Sequence, residues 1–83
     1  MNKDPDEYFF TSDLSLCSTL SLFAPIEFID RTNPQKIEFA FKKNEELDKL
    51  INQYWRKELR IEPIAHFNQL KMLKSRLYEE GTK

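Results

Sequence analysis

Residues 26–42, IEFIDRTNPQKIEFAFK, decide the fold of this chain. Hydrophobic and polar residues alternate on both sides of Asn33-Pro34, which is the pattern of two β-strands joined by a turn. The ring of Pro34 fixes the backbone angle that the second position of a type I turn requires, so we expect an antiparallel hairpin. The alternation assigns the hairpin residues to an inner apolar face of Ile26, Phe28, Ile37, Phe39 and Phe41, and to an outer face of Glu27, Ile29, Arg31, Glu38, Ala40 and Lys42. The inner face needs helices to cover it.

One strand and one helix are predicted before the hairpin. Residues 7–11, EYFFT, are aromatic and β-favouring and predict a first strand. Residues 14–23 carry hydrophobic side chains at helical spacing, and either Ser12 or Asp13 can accept hydrogen bonds from the free amides of the first turn. Pro25 ends this helix, because the residue before a proline is pushed out of the helical conformation.

Two helices are predicted after the hairpin. The first follows the N-cap Asn44, and the second begins at Pro63 and ends at Gly81. Residues 59–62 between them have an extended pattern that allows a short fourth strand. Each helix has one stripe of large hydrophobic side chains, which are Leu47, Leu50, Ile51, Tyr54 and Trp55 on the first and Phe67, Leu70, Leu73 and Leu77 on the second. Trp55 is therefore expected in the core, where truncation to alanine costs about 3–5 kcal/mol.

The predicted architecture is α+β, with the order β-α-β-β-α-α and a three-stranded antiparallel sheet packed with helices. The 83 residues suffice for a single domain, residues 1–83, in which residues 1–6 and 80–83 are expected to fray. Aromatic residues make up 13% of the chain, so a few buried rings can supply much of a small core.

The single cysteine and the lack of a long apolar run bear on location. Cys17 has no second cysteine to pair with, and its apolar neighbours favour a buried thiol. The first residues are polar and acidic, unlike a signal peptide. Residues 14–29 contain serines, Pro25 and Glu27 and are too polar to span a bilayer. We expect a reducing cytoplasm and no membrane partner.

The residues that common catalytic and metal sites need are missing from the sequence. Gly81 is the only glycine, which excludes glycine-rich phosphate loops. Cys17 and His66 are the only thiol and imidazole, whereas a structural zinc site uses about four such ligands. A lone histidine near a helix start, such as His66, is more often a boundary residue than a catalytic base. We therefore expect a protein that is not an enzyme and holds no cofactor and no metal.

Charge is distributed unevenly along the chain. Residues 1–48 carry ten acidic and five basic residues, whereas residues 49–83 carry four acidic and eight basic ones. Cationic side chains can contact phosphates, and neighbouring aromatic or amide groups can contact bases. The candidate residues for an anionic partner are Arg56, Lys57, Arg60, Lys71, Lys74, Arg76 and Tyr78. The basic last helix predicts contact with nucleic acid or a nucleoprotein assembly.

The basic surface of the last helix also allows different roles. A charged helix face can be a solvated surface, or it can contact an acidic protein. A free edge strand or an apolar helix surface would suit a protein–protein adaptor or a small homodimer.

Nearly the whole chain, residues 8–78, also shows a family resemblance. The residues that carry it are Tyr8-Phe9, Thr11-Ser12-Asp13-Leu14, Ile29-Asp30-Arg31, Glu38-Phe39, Phe41, Tyr54-Trp55, Phe67-Asn68, Leu70-Lys71 and Leu73-Lys74-Ser75-Arg76-Leu77-Tyr78. With these residues the chain resembles a family of small bacterial and archaeal proteins that is catalogued as a domain of unknown function. It departs from the family at Ser18-Thr19, where smaller side chains are expected. The resemblance implies a single domain and brings no activity, ligand or catalytic residue.

Overall fold

The computed structural model of the chain describes residues 6–81, with side chains as far as Tyr78. Its elements confirm the predicted α+β order β-α-β-β-α-α. They are β1 (Tyr8–Thr11), α1 (Leu14–Ser21), β2 (Phe28–Asp30), β3 (Glu38–Lys42), α2 (Glu45–Trp55) and α3 (Pro63–Gly81). Of the residues expected to fray, 1–5 and 82–83 lie outside the described part, whereas residues 80 and 81 belong to α3.

The helices begin where short polar side chains cap them. The Oδ1 atom of Asp13, rather than Ser12, accepts the Leu16 amide of α1 at 3.1 Å. The Oδ1 atom of Asn44 accepts the Leu47 amide of α2 at 2.8 Å. Each bond satisfies one of the amides that a first helical turn leaves without a partner, so the sequence itself sets these two starts.

The hairpin turn has Pro34 at the predicted position. The Lys36 amide donates to the Asn33 carbonyl at 3.0 Å, which places Pro34 at the second position of the turn. The Asn33 side chain also accepts the Gln35 amide at 3.0 Å. Local hydrogen bonds therefore determine how β2 and β3 are connected.

The sheet has the order β1-β3-β2, with both pairs antiparallel, so β3 lies in the centre. Phe9 pairs with Phe41, and Ile29 pairs with Phe39. These residues share the inner face, since paired residues point to the same side of a sheet. Among the described residues both β1 and β2 are edge strands.

The predicted inner face was wrong for β2. Phe28 pairs with Ala40 and lies on the outer face, while Ile29 takes the inner position. Ile26 and Ile29 both contact the core although they are three residues apart, so strict alternation fails just before β2. A shift of one residue moves every following side chain to the other face, which is why the hairpin pattern misassigned this strand.

An aromatic cluster covers the outer face instead. The ring of Phe28 lies 5.1 Å from that of Tyr8 and 5.9 Å from that of Phe10, both in edge-to-face geometry. Ala40 on the central strand, between the partners Phe10 and Phe28, is fully buried. The three rings are half-buried, so the outer face is apolar at its centre without a helix layer.

The core lies between the inner face of the sheet and the helices. Helix α1 contacts both α2 and α3 and also β1, so it occupies the middle of the helix layer. The buried hydrophobic cluster consists of Leu16, Cys17, Leu20, Phe39, Phe41, Leu47 and Leu73. Ser18 and Thr19 are also buried, and their hydroxyls donate to the carbonyls of Leu14 and Ser15 at 2.7 and 3.1 Å. Bonding to their own helix satisfies these hydroxyls in an apolar setting.

The connection from α2 to α3 is not a fourth strand, contrary to the sequence expectation for residues 59–62. The Lys57 amide donates to the Tyr54 carbonyl at 3.1 Å, and the Glu58 amide donates to the Gln53 carbonyl at 2.9 Å. These two bonds form a Schellman motif, which ends the helix and turns the chain. Lys57 adopts a positive φ of 60° in this motif, a conformation that usually selects glycine.

We expect Lys57→Gly to raise the free energy of unfolding by about 0.5–1 kcal/mol, since glycine adopts positive φ without a Cβ clash. Urea denaturation measures the change. Lys57→Ala is the control, because it removes the charge but keeps the Cβ atom. Equal stability of the two variants would show that the positive φ of Lys57 does not lower the free energy of unfolding.

Trp55 is not a core residue, contrary to the sequence expectation. Its side chain is 61% exposed, and its ring meets that of Tyr54 edge to face at 5.1 Å. Leu47 and Tyr54 define the face of α2 that contacts the core, and Trp55 lies at the flank of that face. Helical spacing alone could not tell the flank of the buried face, where Trp55 lies, from its centre.

We expect Trp55→Ala to lower the free energy of unfolding by about 1 kcal/mol, through loss of the contact with Tyr54. Leu73→Ala should lower it by about 2–5 kcal/mol, because Leu73 is fully buried. Urea denaturation of both variants gives the comparison. A larger loss for Trp55→Ala than for Leu73→Ala would contradict these positions.

Candidate binding surface on the last helix

Helix α3 has one side that holds it to the domain. Leu73 is fully buried, whereas Gln69 and His66 make polar contacts with α1. The Nε2 atom of Gln69 donates to the Ser21 hydroxyl at 2.8 Å, and the Nε2 atom of His66 lies 3.3 Å from the Ser15 carbonyl oxygen. This side fixes the rotation of α3 about its axis and so determines which residues face outward.

The outward side carries five residues that we call the α3 stripe. They are Ile64, Phe67, Lys71, Lys74 and Tyr78. Their separations of three or four residues place neighbours about one helical turn apart on one side. All five side chains are exposed, with Phe67 at 57% and Tyr78 at 71%. The exposure of Phe67 contradicts its predicted place in the core, and the helical pattern gave no role to Ile64.

The α3 stripe is basic as well as apolar. From Pro63 to Tyr78 the helix contains Lys71, Lys74 and Arg76 but no aspartate or glutamate. The ammonium group of Lys71 lies 5.4 Å from the centre of the Phe67 ring, a cation–π contact. Such a contact at an exposed site is worth only about 0.5–1 kcal/mol, so it leaves Lys71 able to contact an anion.

The remaining predicted site residues lie elsewhere. Arg76 is exposed but lies on the side of α3 that faces α1, close enough to Cys17 for its charge to act on the thiol. Arg56, Lys57 and Arg60 are exposed at the end of α2 and in the connection to α3. These three residues come before the start of α3, whereas Lys71 lies about 12 Å along the helix axis from that start, at about 1.5 Å per residue. The structure therefore brings together Lys71, Lys74 and Tyr78, and it separates Arg76 from them.

A groove of about 500 Å³ opens at the far end of the α3 stripe. One wall is the hairpin turn with Gln35 and Lys36, and the other is the end of α3 with Leu77 and Tyr78. We call it the turn groove. No local sequence signal indicated it, because its walls come from elements about forty residues apart that meet only through packing.

A second hollow, of about 370 Å³, lies between the end of α1 and the start of α2. Phe23 and Glu46 are among its lining residues. The sequence predicts Phe23 on the apolar stripe of the first helix, but α1 ends at Ser21 and Phe23 is exposed. Backbone hydrogen bonds from Phe23 and Ala24 to Leu20 hold this segment in a turn after the helix.

Cys17 and His66, the single thiol and the single imidazole of the chain, both lie at the packing of α1. Cys17 is fully buried, and burial raises the pKa of its thiol to about 12, with a smaller opposing effect of Arg76. The hydrogen bond of the His66 ring is with the Ser15 carbonyl oxygen. Within residues 6–78, no group of three or more histidine, cysteine, aspartate or glutamate side chains is placed to hold a metal ion.

We expect native protein to react with iodoacetamide much more slowly than urea-unfolded protein at about pH 8, because only the thiolate is nucleophilic. The native rate should keep rising with pH beyond the ordinary thiol pKa of 9.0, since the folded pKa is higher. Mass spectrometry counts the labelled molecules. A Ser75→Cys variant in a Cys17→Ala background is the control, since position 75 is exposed. Equal rates at positions 17 and 75 would contradict burial of the thiol.

The fold defines the class of protein: a small α+β domain in which helices cover one face of a three-stranded antiparallel sheet. The chain belongs to the family described as Domain of unknown function (DUF5659), whose sequence profile matches residues 6–79. No curated protein and no solved structure matches the chain. No helix in the described part of the chain is long and apolar enough to cross a membrane.

Proposed function

We propose that this protein is a non-enzymatic binding module that contacts nucleic acid, alone or within a nucleoprotein assembly, through the α3 stripe. The observation that carries the proposal is the combination of Lys71 and Lys74 with the exposed rings of Phe67 and Tyr78 on one side of one helix. Cationic groups bind phosphates, and exposed rings stack on bases, so the two kinds of side chain suit the two parts of a nucleotide.

The charge distribution supports an anionic partner. The acidic residues are concentrated in the first half of the chain, and the described part of α3 contains none up to Tyr78. A molecule with a net charge of −1 can still attract an anion to one end, because the local field decides the orientation of approach. The acidic residues Glu45 and Glu46, at the start of α2, would lie outside the proposed interface.

A prokaryotic cytoplasm is the location that we propose for this activity. A buried, unpaired thiol at Cys17 is typical of proteins that fold under reducing conditions.

We expect Lys71→Glu combined with Lys74→Glu to lower affinity for a labelled DNA strand at least about tenfold, because two phosphate contacts become repulsive. Fluorescence anisotropy at several salt concentrations measures this. For the wild type, affinity should fall steeply with salt, since binding releases counterions. Circular dichroism should show an unchanged fold, since both positions are exposed.

The matched control is Lys42→Glu combined with Lys49→Glu. Lys42 lies on β3 and Lys49 on α2, both exposed, and the change in net charge is identical. We expect this control to retain most of the affinity. If the two double variants lose affinity equally, overall charge rather than the α3 stripe governs binding. If the wild type binds no nucleic acid, the proposal fails.

A protein partner or a second copy of the chain is the alternative function. The observation that favours it is the exposure of four large apolar side chains on α3, namely Ile64, Phe67, Met72 and Tyr78. The edge strands β1 and β2 offer a second route, through backbone pairing. Co-purification from the native host distinguishes the two functions. A stoichiometric protein that survives nuclease treatment and high salt supports the alternative, whereas nuclease-sensitive recovery supports nucleic acid.

A further inference from the structure

The turn groove adjoins the α3 stripe and shares Tyr78 with it. Tyr78 is the last residue of the stripe and also lines the groove. Lys74 precedes it by one helical turn, about 6 Å along the axis. A chain molecule that follows Lys71 and Lys74 along α3 therefore arrives at the mouth of the groove.

The lining of the groove suits a flat ring with a polar edge. Its floor is apolar, with Leu14, Ile37 and Leu77 half-buried. Its exposed lining residues include Ser12, Gln35 and Lys36, which carry a hydroxyl, an amide and an ammonium group. An amide side chain can donate to and accept from a base edge at once, and a tyrosine ring can stack on a base.

Charge complementarity also favours a nucleotide. Lys36 is the only charged residue among the nine that line the groove, and it is a cation on the wall opposite Tyr78. The volume of about 500 Å³ lies within the range of about 300–1,000 Å³ that is common for small organic ligands. A base with its sugar fits such a volume, while the phosphates on either side would lie near Lys36 and Lys74.

We infer that the turn groove receives one unpaired base, so that the partner of the α3 stripe is single-stranded rather than duplex nucleic acid. This inference rests on the proposed function and specifies its substrate class. A paired base in a duplex is stacked on both faces, and extracting it costs a few kcal/mol, which a single strand does not require. The groove thus adds affinity only for a strand whose bases are free.

The test compares a labelled DNA strand of about 12 nucleotides with the duplex of the same sequence, by fluorescence anisotropy. We expect the wild type to prefer the single strand. Tyr78→Ala should lower single-strand affinity about 5- to 100-fold through lost stacking, and it should lower duplex affinity by less, because the faces of paired bases are already stacked. Phe23→Ala is the matched control, since Phe23 is an exposed aromatic residue that belongs neither to the α3 stripe nor to the turn groove.

A second measurement does not depend on a variant. In methyl NMR spectra, addition of the single strand should shift the resonances of Ile37 and Leu77, which line the groove. The resonances of Leu47, which is buried in the core, should not shift. Equal affinity for both forms of DNA, with unshifted groove methyls, would overturn the inference and leave the proposed function standing. Binding of neither form would overturn the proposed function itself.

Discussion

The burial of α1 is the constraint on which the rest of the structure depends. Five consecutive residues of this short helix, from Leu16 to Leu20, are buried, so the sheet and the two other helices enclose it on several sides. Two of these residues, Ser18 and Thr19, are small and bond to their own helix at 2.7 and 3.1 Å. Both are therefore buried without leaving a polar group unsatisfied. Because one side of α3 packs against α1, the opposite side is exposed to solvent. The α3 stripe lies on that exposed side.

The two faces of the central strand β3 carry side chains of different size. Phe39 and Phe41 point into the core, where the helices cover them, whereas Ala40 points to the outer face. A small residue at that position leaves room for the rings that β1 and β2 contribute from either side. Edge-to-face contacts among these rings bury Ala40 without a second helix layer. The sheet is therefore apolar on both faces, although only one face belongs to the main core.

Some of the residues exposed on α3 were predicted from the sequence, and others were not. Lys71, Lys74 and Tyr78 follow from helical spacing and from the lack of acidic residues beside them. The sequence predicts Phe67 in the core, because a large aromatic residue at helical spacing usually is buried. In the folded chain α1 covers only the side around Gln69 and Leu73, so Phe67 joins the lysines. The sequence groups Arg76 with Lys71 and Lys74 by charge. In the structure Arg76 lies on a different side of α3 from the two lysines.

The sequence by itself determined the order of the six elements and where several of them begin. The Asp13 and Asn44 caps, the turn at Pro34 and the start of α3 at Pro63 all depend on interactions within about four residues, which are readable in one dimension. Only the tertiary structure decided which faces are covered: Phe28 outward and Ile29 inward, Trp55 exposed, and the turn groove between the hairpin and α3. Burial is set by contacts between segments far apart in the chain, and local periodicity cannot specify which of two apolar faces another element will reach.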